Sequence, residues 1–478
     1  MRFPLSRRAL LTRTSQASLG ALIPNEFAGP KQGPDVLVVV MDDMRASDWQ
    51  AFGQTRTLLA NGTMFENFIL NTPVCGPSRA TMFTGRHAHN HRAFTNTGES
   101  GTWEQYQAHD AGQDAIYTKA KDAGYRTVIS GKFLNGAPKR GGIGPGWSSF
   151  AITEDKRYLD FTLNENGKSH EYDGRRKYST DVLANHLINE IEEANRHQPL
   201  MLFYTPKAPK GPSTPDPARA ATFTQAPQIA DPATNEADIS DKPQAVRRRK
   251  PLTPQAMDDL ARANRQRLET LASVDAAIVR ILTAINQRRD LSHLYVFITS
   301  DNGFALGDHR LTGKGRPYDS VIRVPLLAFG PGFAPGVNSR LCSMVDLAPT
   351  IAQVTGVPLP NTDGLSLLSA EQRDTVLLEC RSGSQHYDGL RTATELYVEY
   401  DDGEREYYDH TTDPDELTNR LADWDGHMPS LDPVHEAQLI SRLATARICS
   451  GRSCWDPLTA PPVPVAGRRG GRRRARGR

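Results

Sequence analysis

The chain lacks any run approaching the roughly 18–20 apolar residues that a membrane span requires. A helical membrane anchor is thereby excluded, and a soluble mature protein is expected. It also lacks an excess of either charge: 57 Lys and Arg against 55 Asp and Glu leave a formal net charge of +2. Nothing in that balance marks the whole chain as a nucleic-acid binder. Cysteines number only five, an odd count. Cys449 and Cys454 bracket Ser-Gly-Arg-Ser, and no histidine cluster accompanies them, so a small disulfide loop is a better reading than a metal site. Cys342 and Cys380 lie among apolar residues and read as buried thiols. Cys75 differs, because its neighbours are not those of a core cysteine.

With 478 residues the chain is too long for one simple core, which points to a large domain and a smaller one. Positive charge is gathered in Arg247–Lys250 and in the tail Arg468–Arg478. That tail has no apolar residue able to bury surface and is expected to be a solvated, disordered terminus. At the other end, Ser6-Arg7-Arg8-Ala9-Leu10-Leu11 resembles a twin-arginine export signal, although Arg13 interrupts the apolar stretch behind it. The expected location is periplasmic or extracellular if the signal operates, and cytoplasmic otherwise.

Val36–Met41 is an unbroken apolar run that leads straight into Asp42-Asp43, and Leu294–Ser300 leads into Asp301-Asn302. Thr127–Ser130 and Met201–Thr205 end at Gly131-Lys132 and Pro206-Lys207. Such runs are strands buried on both faces of a parallel sheet. Between them lie helical patterns, the clearest at Leu260–Asn286, so an α/β fold with a large, mostly parallel sheet sandwiched by helices is expected. Ligands of open α/β sheets bind beyond the strands' carboxyl ends, which places Asp42, Asp43, Lys132, Asp301 and Asn302 along one edge. Residues 211–254 lack periodicity and read as a long surface loop over that crevice. Short strands at Val376–Glu379, Glu395–Tyr400 and Glu404–Tyr408, a turn at Asp401-Asp402-Gly403 and a helix near Pro433–Ala446 predict a small α+β unit.

Three carboxylates and an amide gathered at strand ends repel one another unless a cation sits among them. Every donor is an oxygen, which suits Ca2+, or less well Mg2+, rather than zinc. Either pair alone also reads as a helix cap or a turn; the two together favour a metal. Cys75 stands in Pro73-Val74-Cys75-Gly76-Pro77-Ser78-Arg79, where a thiolate at a helix start beside Arg79 is one reading.

Cys75-Gly76-Pro77-Ser78-Arg79, followed by Thr84-Gly85-Arg86, resembles the signature of the sulfatases, members of the alkaline-phosphatase-like superfamily. The likeness extends from about residue 34 to 456. It takes in Met41–Arg45, Thr299–Phe304, Gly307-Asp308-His309-Arg310, Lys314, Arg323–Leu326 and Asp346–Thr350 in family order. Gly131-Lys132-Phe133-Leu134-Asn135 is most similar to the form found in N-acetylglucosamine-6-sulfatases and their bacterial relatives. The resemblance implies that a formylglycine-generating enzyme oxidises Cys75 to formylglycine (3-oxoalanine). Asp42, Asp43, Asp301, Asn302 and modified Cys75 would hold calcium. The formylglycine hydrate would attack sulfur with help from Arg79, and Lys132 and Lys314 would hold sulfate oxygens. Asn135, Lys210 and His91 would contact the substrate, a sulfated small molecule or glycan such as a 6-O-sulfated glucosamine unit. The implied arrangement is an export signal at 1–30, a catalytic domain at 34–369, a C-terminal domain at 370–456 and a tail at 457–478.

Two departures bear on activity. Where sulfatases commonly carry a histidine in an Ala-Pro-His segment, this chain has Ala208-Pro209-Lys210, leaving His309 as a catalytic candidate for part of that role. The Asp-Lys pair common near Lys314 is here Gly313-Lys314. His87, His89 and His91 at alternate positions read as pocket-wall or structural residues. A phosphonate or phosphate ester hydrolase on the same fold, and a catalytically weakened polyanion-binding homologue, stay open as alternatives, as does the oligomeric state.

Overall fold

The computed structural model describes residues 33–455 apart from 100, 110, 154, 156, 175–176, 221, 224–230, 384–385, 425–426 and 428. The signal expected at 1–30 and the tail expected at 457–478 lie outside these residues.

A ten-stranded sheet forms the centre. Its order runs Gly336–Asn338, Thr63–Phe65, Leu326–Phe329, Leu294–Ser300, Asp35–Met41, Leu200–Thr205, Arg126–Gly131, Ser149–Ile152, Phe161–Glu165, Lys168–Tyr172. The five strands from Leu294–Ser300 to Ser149–Ile152 are parallel to one another, and antiparallel pairings flank them on both sides. Strand alternation explains why the central runs are apolar throughout. Val36, Val38 and Val40 pack on one face against Ala80, Phe83, Ile116 and Leu347. Leu37, Val39 and Met41 pack on the other against Leu187, Leu271, Ile278 and Ile281. The second face is covered largely by Ser179–Glu193 and by the 35-residue helix Pro254–Arg288. That helix begins six residues before the apolar periodicity does. Its start is set by Thr253, whose hydroxyl accepts from Ala256 N at 3.2 Å, and by Pro254 in the first turn.

Strands Val376–Cys380, Tyr387–Arg391, Glu395–Tyr400 and Arg405–Asp409 form a separate antiparallel sheet. The helix Pro433–Ala446 covers one face through Leu439 and Leu443. The other face meets the nucleophile side of the molecule, where Leu378, Leu396 and Tyr408 pack with Val74, Tyr318 and Ile322. Tyr387–Arg391 was not expected as a strand, because Asp388 and Gly389 interrupt its apolar pattern. The disulfide Cys449–Cys454 forms, and Cys342 and Cys380 are buried thiols.

The described part of the expected surface loop is more ordered than its sequence indicates. Ile239 and Val246 join the core beneath the C-terminal sheet, and Lys242 is fully buried against Asp241, Glu236 and the Leu417 carbonyl. No helix among the described residues is long and apolar enough to cross a membrane.

Candidate active site

The helix Cys75–Thr84 starts at the nucleophile candidate and is buried along its whole length. Pro77 falls in its first turn, where the missing N–H costs no helical hydrogen bond. The i, i+4 spacing sets Arg79 on the same face as Cys75. Arg79 Nε donates to Asp301 Oδ2 at 2.8 Å and Nη1 to the Lys132 carbonyl at 2.7 Å, while Nη2 is buried with no partner. Each central strand then delivers its polar end. Asp42 and Asp43 follow Asp35–Met41, Asp301 and Asn302 follow Leu294–Ser300, and Lys132 follows Arg126–Gly131. Gly131 is required there: its φ is +125°, and a Cβ would come within 2.0 Å of the Thr205 carbonyl oxygen.

These groups converge on one point. Cys75 Sγ lies 3.2 Å from Asp42 Oδ1 and 3.4 Å from Lys210 Nζ, and it also contacts Lys314 Nζ. Lys132 Nζ donates to Asp42 Oδ2 at 2.8 Å, Lys210 Nζ to Asp42 Oδ1 at 3.0 Å, and Lys314 Nζ to Asp43. Asn302 Nδ2 donates to Asp43 Oδ1 at 2.6 Å. Three carboxylates therefore face four cations, an excess of one positive charge before any metal or substrate is added. Burial pushes the Asp42 carboxyl up, but Lys132, Lys210, Lys314 and Arg79 outweigh it and hold the group well below the usual carboxylate range. Burial also pushes the Cys75 thiol up, with Asp301 and Asp42 acting in the same direction against Lys132 and Lys314. The free thiolate is thus disfavoured. One ligand atom from each of Asp42, Asp43, Cys75 and Asp301 lies within 4.8 Å of the others, all buried. Three of these four ligand atoms are carboxylate oxygens, hard donors of the kind that a hard divalent cation takes.

Two candidates, His91 and His309, make their described contacts elsewhere. His91 was expected to touch substrate; it is buried instead behind the helix, with Nε2 3.0 Å from the Thr81 hydroxyl and Nδ1 accepting from Ala93 N at 3.2 Å. Both ring nitrogens are therefore engaged in fixing the turn after the helix. His309 pairs with Glu236 Oε2 at 2.6 Å and packs on Tyr318, and none of its described contacts reaches Cys75. It lines a cavity of about 270 Å³ that also holds five carboxylates, Asp231, Asp308, Asp319, Asp415 and Glu416, against two cations, Arg45 and Arg323. Asn135 gives its carbonyl to Trp103 N at 3.2 Å, and its Oδ1 is buried with no partner. His89 bonds Glu379 and the Cys449 carbonyl, so it ties the nucleophile helix to the C-terminal sheet and the disulfide loop.

Sequence reasoning missed Arg267, which reaches from the long helix to the Asp43 carbonyl at 2.6 Å, and Asn96, whose Oδ1 accepts from Gly76 N at 2.9 Å. Arg267 lies 224 residues from its partner, and no local pattern signals such a contact.

A family model for the sulfatases matches residues 34–357. The N-acetylglucosamine-6-sulfatase of Capra hircus is 29% identical over 93% of this chain and 88% of its own length. Among solved structures, BT4656 in complex with its substrate D-glucosamine-2-N,6-O-disulfate superposes with a TM-score of 0.73 at 20% identity, over 86% of this chain and 97% of that one. The phosphonate monoester hydrolase of Agrobacterium radiobacter gives 0.66 at 21%, over 87% and 96%. At such identities these two structures speak for the fold alone. The family model covers more than half of the chain, including every strand end that meets Cys75, and the chain belongs to the sulfatase family, the sulfuric ester hydrolases.

Proposed function

We propose that this sulfatase removes sulfate from sulfated sugars, using a formylglycine made from Cys75 and a bound calcium ion. The observation that carries this reading is the convergence of Lys132, Lys210, Lys314 and Arg79 with three aspartates around a buried Cys75. Asp42, Asp43, Asp301 and Asn302, with residue 75, would hold the metal, which supplies positive charge that polarises a sulfate oxygen and favours an ionised hydroxyl. Formylglycine hydrate at position 75 would supply a hydroxyl for attack and a second hydroxyl that allows the sulfate to be released, which a plain serine or cysteine lacks.

The chain's own residues do the rest. Arg79 holds Asp301 and the Lys132 carbonyl, so the strand ends that carry Asp301 and Lys132 keep their place as charge moves. Lys132 and Lys314 would take sulfate oxygens and stabilise charge on the leaving oxygen. Lys210 enters from the segment after Leu200–Thr205, fixed by a bond from Asp42 N to the Ala208 carbonyl at 3.2 Å. Burial pulls its ammonium down, yet Asp42 and Asp43 more than offset this and keep it charged. Reaching both Asp42 and Cys75, Lys210 would act as a third fixed cation on the sulfate.

The names of the relatives support a sulfated glucosamine as substrate: the curated N-acetylglucosamine-6-sulfatases act on that sugar, and BT4656 binds a disulfated glucosamine. The disulfide Cys449–Cys454 supports an oxidising destination outside the cytoplasm. The test is release of inorganic sulfate from N-acetylglucosamine 6-sulfate by enzyme made alongside a formylglycine-generating enzyme. Turnover is expected, with a loss of at least about 10³-fold in Cys75→Ala. Cleavage of phosphonate or phosphate esters in its place, or glycan binding without turnover, would contradict the reading.

A further inference from the structure

Asp42 and Asp43 are neighbours at the end of a strand, yet both carboxylates face Cys75. Asp42 Oδ1 lies 3.2 Å from its Sγ, and Asp43 Oδ1 lies 4.0 Å from it. Successive side chains of an extended strand point to opposite faces, so a regular strand end would aim only one of the two at a shared cation. The change of direction comes at Asp43 itself. Its φ is +76°, in the left-handed region that favours glycine and that is strained for other residues. The turn brings the second carboxylate back beside the first, where Asn302 Nδ2 donates to it at 2.6 Å.

Such a conformation persists only where its surroundings over-determine it. Met44 N donates to Ser300 Oγ at 2.9 Å and Asp43 N to Asp301 Oδ1 at 3.3 Å, which ties the turn to the neighbouring strand. The Asp43 carbonyl is held from the long helix Pro254–Arg288, where Arg267 Nη2 donates to it at 2.6 Å. The same nitrogen donates to Asp48 Oδ2 at 2.8 Å, and that oxygen also accepts from Arg45 N at 3.0 Å. Arg267 thus bridges the strained residue and the short helical turn that follows it. Both charged side chains are buried, 4% and 2% exposed. The guanidinium also packs 5.0 Å from the centre of the ring of Phe304, just beyond Asn302. One side chain therefore meets both segments proposed to hold the metal. None of its described contacts reaches Cys75, so Arg267 acts through Asp43.

We propose that Arg267, braced by Asp48, is a positioning residue for the metal site: it holds Asp43 in its left-handed turn and thereby sets the affinity of the aspartate cluster for the cation. The proposal rests on the reading of Asp42, Asp43, Asp301 and Asn302 as calcium ligands. Groups that orient a metal's ligands without touching the metal typically change its affinity by about 10–100-fold when removed. Removing one partner of a buried ion pair also leaves the other charge uncompensated, so metal affinity is read beside a measure of folding.

The experiment measures calcium binding to the chelated full-length protein by titration calorimetry, alongside urea unfolding without calcium. Arg267→Met removes both hydrogen bonds and keeps the apolar stem, and its Kd for calcium should rise about tenfold or more. Arg267→Lys keeps an ammonium with donors for both oxygens and should retain part of the lost affinity. A folded Arg267→Met protein that binds calcium as tightly as the wild type overturns the proposal, even where it unfolds at lower urea. If Arg267→Met does not fold, Asp48→Asn decides. Its amide oxygen still accepts from Arg45 N while the charge that braces Arg267 is gone. A Kd raised about threefold or more in that variant supports the proposal, and an unchanged Kd overturns it. Wild-type protein that binds no calcium contradicts the metal reading itself, a different result from binding that ignores residue 267.

Discussion

Lys210 occupies the place where sulfatases commonly carry a histidine, and it lies 3.4 Å from Cys75 Sγ and 3.0 Å from Asp42. Removing one preorganised donor at such a site costs on the order of 10²-fold in kcat. Lys210→Ala is expected to lose about that much, measured as sulfate release at saturating substrate. Lys210→His should keep more activity than the alanine variant below about pH 6.5, where an imidazole is charged; equal pH profiles for the two would contradict a cationic role. His91 has the opposite kind of importance. Burial, with the nearby charge of His89 when protonated, lowers its pKa to about 3. A histidine held neutral in the fold binds fewer protons than in the unfolded chain, so stability is lost as pH falls from about 6.5 towards 3. The total is on the order of 3–5 kcal/mol, and His87, also pushed well below its ordinary value by burial and His89, adds in the same direction. Urea unfolding of His91→Gln between pH 7 and pH 4 should show a shallower dependence on pH than the wild type.

At the scale of elements, the turn after the nucleophile helix is held by partners far along the chain. Asp363 accepts from His87 N and Asn90 Nδ2, both at 2.8 Å, and from Gly451 N at 2.7 Å. Glu379 accepts from Ala88 N at 3.0 Å and from His89 at 2.9 Å. The Cys449–Cys454 loop closes this clamp through the Cys449 carbonyl. Replacing both cysteines with serine is expected to cost about 2 kcal/mol from the short loop alone, read as a lower denaturation midpoint, with a smaller effect on KM. The strand ends that meet Cys75 were legible in the sequence because a buried strand writes an unbroken apolar run and its polar end follows at once. The helix Pro433–Ala446 and the turn at Gly403 were legible for the same local reason. The clamp was not. Histidines at alternate positions look alike whether they face substrate or brace a helix, and only the distant partners Glu379, Thr81 and the Cys449 carbonyl decide between the two. His309 was misread for a similar reason, since its partner Glu236 lies in a segment with no periodicity to announce it.

For the whole molecule, the aspartates proposed to hold the metal link two strand ends and a helix that are otherwise held by lysines and Arg79. A ligand bound only by the native state adds about 2.7 kcal/mol of stability at 100 times its Kd. Calcium should therefore raise the melting temperature of the chelated protein, and Asp301→Asn should abolish the rise, whether or not either protein turns over substrate. An equal rise in both would place the ion elsewhere. The most direct measurement concerns residue 75. Protein from its native host, or from cells that make a formylglycine-generating enzyme, is digested with trypsin, and the peptide Thr57–Arg79 is weighed. The expected mass is that of an aldehyde in place of the thiol. An unmodified cysteine, in cells shown to modify another sulfatase, would contradict the proposed chemistry.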